Sequence, residues 1–133
     1  MGKPKEILAK AIQHKNDIDL QTSMILQYES GQSVLHASIV SESDMKAVIS
    51  GTEGRIELNA PWFVADGYSL FKNEEKEATF TLPPLGKGYS HEIIECQNCI
   101  LNNEIESKLW SHQNCLDLSR IVEEIKSQIG LSF

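Results

Sequence analysis

The hydrophobic pattern of this chain changes its period once, at Pro83-Pro84, and that change constrains the fold more than any other feature. Before the two prolines, apolar and polar residues alternate in short runs, which is typical of strands with one buried face. After them, apolar residues recur every three or four positions, which is the repeat of a helix face. Strands followed by helices predict an α+β fold: an open antiparallel sheet of about seven strands with two C-terminal helices packed on one face.

The strand region divides at turns rich in Gly, Asn, Asp and Ser. The first segment also permits a helix by propensity, but a strand is favoured there because the segments that follow it are strands. In the turn Glu53-Gly54, the pattern predicts a hairpin whose glycine adopts a positive φ. Trp62-Phe63 follows Ala60-Pro61 at the end of a strand, where loops form pockets. The predicted strands cover residues 5–15, 18–29, 33–41, 45–51, 55–59, 68–72 and 77–82.

Two helices are predicted after the prolines. The first covers about residues 91–102, with Ser90 as its N-cap. The second begins after Ser111 as N-cap and ends at Gly130, where Leu131 completes a Schellman motif. Its predicted inward face is an apolar stripe formed by Cys115, Leu118, Val122, Ile125 and Ile129.

The length and charge of the chain exclude several classes of protein. We expect its 133 residues to form a single domain, residues 1–133. A net charge of −7 with no Lys/Arg run argues against nucleic acid as a partner. No apolar run approaches the roughly 20 residues of a membrane span, and no signal peptide is evident. The three cysteines do not suggest a disulfide framework, so a reducing cytoplasm is expected.

A zinc site is the one metal centre that the sequence suggests. Cys96 and Cys99, followed by His112 and Cys115, have a spacing that zinc modules use. The competing interpretation is favoured, because the first two cysteines fall within an apolar helical pattern, where free cysteine packs as a small hydrophobe. No glycine-rich phosphate loop and no Ser-His-Asp set is present. From its residues alone, the chain is a soluble α+β domain without a self-contained active site, and we predict neither a catalytic residue nor a metal ligand.

Five short motifs in a fixed order give the chain a family resemblance. It resembles the C-terminal domain of the Gfo/Idh/MocA oxidoreductases, in particular their dihydrodiol dehydrogenase-like branch. The resemblance extends over nearly the whole chain. The motifs that carry it are residues 49–58 (ISGTEGRIEL), 60–63 (APWF), 88–92 (GYSHE), 106–107 (ES) and 125–131 (IKSQIGL).

This resemblance implies that the full-length parent transfers a hydride between NAD(P) and a sugar, polyol or dihydrodiol-type alcohol. The cofactor and the catalytic lysine belong to an N-terminal Rossmann domain, so we expect this chain to bind no cofactor and to be inactive alone. The family role of the domain is to wall the substrate pocket and to pack against a second subunit, giving a homo-oligomer. We also expect the chain to begin just after the catalytic helix of the family.

The substrate-binding candidates are Trp62, Phe63, Tyr89 and His91. Trp62 matches a tryptophan of the dihydrodiol branch, and the other three are suggested by their loop positions. The alternative hypothesis is a free-standing, non-catalytic domain that self-associates through its sheet.

Overall fold

The computed structural model describes residues 2–86 and 88–131, which form seven strands, one 3-10 turn and two α-helices. The α+β order predicted from the sequence is therefore confirmed, including the strand rather than a helix at the start of the chain. The strands are β1 (Glu6–His14), β2 (Ile18–Gln27), β3 (Gln32–Ser38), β4 (Ala47–Ser50), β5 (Gly54–Leu58), β6 (Gly67–Lys72) and β7 (Glu75–Thr81). The helices are α1 (Ser90–Leu101) and α2 (His112–Ile129).

Hydrogen bonds group the strands into a three-stranded sheet, β1-β2-β3, and a four-stranded sheet, β4-β5-β6-β7. All neighbours are antiparallel, as predicted. The described residues form two compact units. The first contains the chain up to Glu42 and from Glu106 onward, and the second runs from Ser43 to Ile105. The first unit therefore holds the three-stranded sheet with α2, and the second holds the four-stranded sheet with α1.

In the first unit, the core lies between the sheet and α2. Ala9 of β1 and Thr22 and Leu26 of β2 are buried on one face, and α2 packs against β1. The buried hydroxyl of Thr22 donates to Oδ2 of Asp19 at 2.8 Å, so its burial does not leave an unpaired polar group. The alternation of β2 thus produces the buried face that the sequence predicted.

Both ends of α2 follow the sequence signals. The side chain of Ser111 accepts a hydrogen bond from the N–H of Asn114 at 3.2 Å, so the predicted N-cap is confirmed. Gly130 has a φ of 75°, and the N–H of Leu131 donates to the carbonyl of Lys126 at 2.9 Å. This is the predicted Schellman ending, with Leu131 buried beside it.

The predicted inward stripe of α2 is only half correct. Its last two members are half-buried, but the prediction is wrong for Cys115, Leu118 and Val122, which are exposed. At this end of the helix Asp117 takes the inward position instead, because its carboxylate pairs with Nζ of Lys3 at 2.8 Å. The inward positions in this part of the helix are Asp117 and Ile121, one residue before the predicted Leu118 and Val122.

The N-cap predicted at Ser90 is also wrong. Tyr89 occupies the cap position and makes no side-chain capping hydrogen bond, while Ser90 is the first residue of α1. The reason is that Tyr89 already has helical dihedral angles, with φ −76° and ψ −9°. A capping serine needs an extended backbone, and here the chain turns helical one residue too early for it.

Gly54 serves a different purpose from the one predicted. It does not have a positive φ but is the first residue of β5, and its carbonyl accepts from the N–H of Gly51 at 2.8 Å. A Cβ at this position would lie 2.2 Å from the carbonyl oxygen of Phe71. The glycine is therefore required by the close approach of β6 rather than by the turn.

Candidate functional site: an aromatic loop between β5 and β6

The loop of residues 59–66, which we call the aromatic loop, joins β5 to β6 and carries the strongest sequence candidates. Trp62, Phe63 and Val64 form its 3-10 turn, and all three side chains are exposed. The Trp62 and Phe63 rings meet edge to face, with centroids 5.8 Å apart and planes at 89°. Two of the four predicted substrate-binding residues thus form one continuous apolar surface.

Hydrogen bonds hold this loop at its base and near its tip. At the base, the N–H of Asn59 donates to the carbonyl of Gly67 at 3.0 Å, and its Nδ2 donates to Oδ1 of Asp66 at 2.7 Å. Near the tip, the N–H of Trp62 donates to the carbonyl of Met45 at 2.9 Å. The aromatic surface therefore has a defined position although its side chains face solvent.

The other two candidates lie at the start of α1, in the same unit. Tyr89 is the N-cap residue of that helix and His91 is in its first turn, and both are exposed. Within the part of the chain that the structure describes, Tyr89 makes no ring contact with Trp62 or Phe63. That Tyr89 and His91 share a substrate pocket with the aromatic loop stays a prediction.

The chemistry available to the aromatic loop is binding rather than proton transfer. Its sequence, Asn-Ala-Pro-Trp-Phe-Val-Ala-Asp, contains one titratable side chain, Asp66, which accepts from Asn59. Exposed aromatic faces pack against the C–H surfaces of ring-shaped ligands, and the indole N–H of Trp62 is a hydrogen-bond donor.

The sequence did not predict a second feature of this unit. An open depression of about 470 Å³ lies beside the β4–β5 turn. In it, the guanidinium of Arg55 sits 4.0 Å from the centroid of the Phe71 ring, and its Nε donates to Oε1 of Glu57 at 2.6 Å. The alternation along β5 places Arg55 and Glu57 on one face, which the sequence alone can show. The contact with Phe71 could not be predicted, because it requires the register between β5 and β6. The charge of Arg55 is already paired with the carboxylate of Glu57.

The four residues of the alternative zinc site lie on two helices, one in each unit. Cys96 and Cys99 are on α1, while His112 and Cys115 are on α2. Burial, followed by the nearby carboxylate of Glu95, raises the pKa of the Cys99 thiol. Among the described residues, no group of three or more His, Cys, Asp or Glu side chains is placed to hold a metal ion.

The chain is similar in sequence to two dehydrogenases. It is 30% identical over 142 residues to trans-1,2-dihydrobenzene-1,2-diol dehydrogenase of Bos taurus, covering 98% of this chain and 41% of that protein. It is 25% identical over 135 residues to scyllo-inositol 2-dehydrogenase (NADP(+)) of Bacillus subtilis, covering 99% of this chain and 40% of that protein. No protein-family model matches the sequence.

A solved structure supports the same fold. UDP-N-acetylglucosamine 3-dehydrogenase of Acidithiobacillus ferrooxidans superposes with a TM-score of 0.78 at 12% identity, over 96% of this chain and 40% of that chain. At this identity the likeness establishes the fold alone. The chain thus spans about two fifths of the length of the proteins it matches. None of the helices formed by the described residues is long and apolar enough to cross a membrane.

Proposed function

This chain belongs to the Gfo/Idh/MocA family of oxidoreductases, where it corresponds to the C-terminal domain, and we propose that it is the substrate-side domain of an NAD(P)-dependent member. The observation that carries the proposal is the match of 98% of this chain to a dihydrodiol dehydrogenase. The substrate is a sugar, polyol or dihydrodiol-type alcohol. The dinucleotide binds to the Rossmann domain of the parent protein and not to this chain.

Within that role, the aromatic loop supplies one wall of the substrate pocket. Trp62 and Phe63 present a fixed apolar surface, which suits the C–H face of a cyclic diol or polyol. Tyr89 and His91, at the start of α1, add polar groups to the wall. The hydride donor and the proton-transfer groups come from the Rossmann side, so the contribution of this domain is orientation of the alcohol.

The first experiment tests the division of labour between domains. Titration calorimetry of this chain with NADPH and NADH is expected to show no binding, with the scyllo-inositol 2-dehydrogenase (NADP(+)) of Bacillus subtilis as the positive control for NADPH. Adding the Rossmann-domain polypeptide of the parent is expected to restore dinucleotide binding and alcohol oxidation. Micromolar binding of either dinucleotide by this chain alone would contradict the proposal.

The second experiment tests the pocket wall and uses a matched pair of tryptophans. Trp62 and Trp110 are each 53% exposed, but only Trp62 lies in the aromatic loop. In the assembled oxidoreductase, Trp62→Ala is expected to raise KM by about tenfold, equivalent to about 1.4 kcal/mol of lost aromatic contact. Trp110→Ala is expected to leave KM unchanged. An equal rise in KM for both variants would rule out a specific role for Trp62.

A free-standing domain that self-associates is the second candidate, and a specific surface favours it. Leu8, Ile25 and Val34 are register neighbours across β1, β2 and β3, and all three are exposed. They lie on the face of the sheet opposite to buried Ala9, because side chains alternate along a strand. We propose a second copy of this chain as the occupant, since an apolar row of this kind is complementary to itself across a two-fold axis.

Sedimentation of paired variants tests this self-association. Val34→Lys is expected to convert a dimer into a monomer, because it places a charge at the end of the apolar row. Leu109→Lys is the control, since Leu109 is 78% exposed and Val34 is 75% exposed. A wild-type chain that is monomeric at high concentration would eliminate the second candidate.

A further inference from the structure

The aromatic loop is closed at its base by one hydrogen bond beyond the β5–β6 ladder. The N–H of Asn59 donates to the carbonyl of Gly67 at 3.0 Å, which continues the pairing of these antiparallel strands. One step further along, Nδ2 of Asn59 donates to Oδ1 of Asp66 at 2.7 Å. This side-chain pair takes the place of the next main-chain hydrogen bond between the strands, so only residues 60–65 project as the free loop.

The acceptor side of this pair is anchored independently. The main-chain carbonyl of Asp66 accepts from the N–H of Leu82 at 2.6 Å, just beyond β7. The backbone of Asp66 is therefore held by the residue that follows β7, which keeps its exposed carboxylate within reach of the Asn59 amide. A hydrogen bond to an ionised carboxylate is stronger than one between neutral groups.

The tip of the loop is held from another direction. The N–H of Trp62 donates to the carbonyl of Met45 at 2.9 Å, and the N–H of Val64 donates to the carbonyl of Pro61 at 3.0 Å. Met45 precedes β4, which pairs with β5. The backbone of Trp62 is thus fixed relative to β4 at the tip and relative to β6 at the base.

We propose that the Asn59–Asp66 pair is a latch that sets the position of the Trp62 ring, and that both residues are positioning residues for the substrate alcohol. The latch itself follows from the hydrogen bonds of the loop, whereas its effect on substrate rests on the proposed function. Opening the pair leaves the main-chain hydrogen bonds of Asn59 and Trp62 in place. It removes the side-chain closure of the loop, so that the Trp62 ring can leave the orientation in which it faces a ring-shaped ligand.

The pair allows a charge-swap test. Asn59→Asp places two carboxylates at the position of one hydrogen bond, and their repulsion opens the latch. The double variant Asn59→Asp/Asp66→Asn restores an amide–carboxylate pair with the donor and acceptor exchanged, and is expected to close it again. Asp66→Asn removes the charge without introducing repulsion, and is expected to have an intermediate effect.

The first measurement reports on Trp62 without any substrate. In a Trp110→Phe background, Trp62 is the one remaining tryptophan of the chain, which has two. Asn59→Asp is expected to increase acrylamide quenching of its fluorescence by about twofold, because an indole residue that is 53% exposed has about half its surface left to uncover. The double variant is expected to return quenching to the wild-type value.

Circular dichroism and the urea midpoint identify any variant that fails to fold, and Asp66→Asn then serves in place of Asn59→Asp. Unchanged quenching in a folded Asn59→Asp or Asp66→Asn protein would overturn the latch. A folded double variant that remains as quenchable as Asn59→Asp would overturn it equally, because the restored hydrogen bond would then have no effect on Trp62.

The second measurement is steady-state kinetics of the assembled oxidoreductase. Asn59→Asp is expected to raise KM about tenfold with kcat unchanged, and the double variant is expected to restore KM, because a uniform binding contact is lost and regained. If Asn59→Asp loosens Trp62 but leaves KM unchanged, the latch stands and the substrate-wall function fails. If KM rises with no change in Trp62 quenching, the latch fails and the substrate wall stands.

Discussion

The side-chain amide of Gln128, on α2, forms hydrogen bonds with main-chain groups at the edge of β1, as a neighbouring strand would. Gln128→Ala therefore tests how much this amide contributes to the packing of α2 against the sheet. Its Oε1 accepts from the N–H of Ala9 at 2.8 Å, and its Nε2 donates to the carbonyl of Ile7 at 2.7 Å. Nε2 also donates to Oε1 of Glu124 on the preceding helical turn at 2.8 Å. Since β1 is an edge strand of its sheet, these two main-chain groups depend on Gln128 for a protein partner.

The expected loss follows from the burial of the groups left behind. Ala9 is 4% exposed, so water replaces Gln128 poorly at its N–H, and an unsatisfied buried donor costs about 1–3 kcal/mol. The carbonyl of Ile7, a half-buried residue, loses a further hydrogen bond worth about 0.5–1.5 kcal/mol. Gln128→Ala should therefore lower the free energy of unfolding by about 1.5–4.5 kcal/mol, a large part of the roughly 5–15 kcal/mol typical of a domain.

Urea denaturation with an unchanged m-value measures this loss, and Gln113 provides the control. Gln113 is on the same helix and is exposed, and its Nε2 donates only to Oδ1 of Asp117 at 2.8 Å, within the helix. Gln113→Ala is expected to change stability by less than about 0.5 kcal/mol. If Gln128→Ala costs no more than Gln113→Ala, the amide does not act as a partner for the strand edge.

Three further results are expected from groups with defined surroundings. Ser111→Ala removes the hydrogen bond to the N–H of Asn114 and should cost about 1 kcal/mol in urea denaturation, whereas Ser111→Gly should cost only a few tenths. The hydrogen bond from Lys3 is the main cause that lowers the pKa of Asp117, so this carboxylate stabilises the fold near neutral pH. That stability is lost as the pH falls below about 4, and Asp117→Asn should remove this part of the acid dependence of the urea midpoint. Burial raises the pKa of the Cys99 thiol, so iodoacetamide at about pH 8 should alkylate it more slowly than the other two cysteines, and three equal rates would contradict this.

The parts of the fold that the sequence predicted depend on interactions between near neighbours. The cap at Ser111 uses a donor three residues away, and the ending at Gly130 uses a carbonyl of the last helical turn. Alternation along β2 likewise needs only the residue type at each successive position. Such signals are readable because the groups that interact are close in the sequence.

Apart from the cap at the start of α1, where the backbone angles of Tyr89 decide the outcome, the errors and omissions arise where distant segments meet. Gln128 and Ala9 are 119 positions apart, and Asp117, which faces inward on α2, pairs with Lys3 near the start of the sequence. Gly54 was recognised as special, but the reason is the carbonyl of Phe71 on the neighbouring strand. Each of these contacts depends on strand register or helix rotation, which local patterns do not specify.

For the candidate site, the sequence located the aromatic side chains but not what holds them. Trp62 and Phe63 stood out by residue type and by resemblance, and the structure brings their rings into contact. The bond between Asn59 and Asp66 joins residues seven positions apart on either side of the loop, and it becomes visible only once β5 and β6 are paired.

The composition of the aromatic loop predicts which kinetic parameter its substitutions should change. Its aromatic groups do not exchange protons near neutral pH, and its one carboxylate, that of Asp66, already accepts from Asn59. Changes in the loop therefore alter how tightly and in which orientation a ring is held, and leave the pH dependence of the chemical step to groups outside it. A substitution at Trp62 that shifted the pH profile of kcat would require the loop to touch the proton-transfer group itself. A change in KM with an unaltered profile is the result expected of a wall that binds and orients.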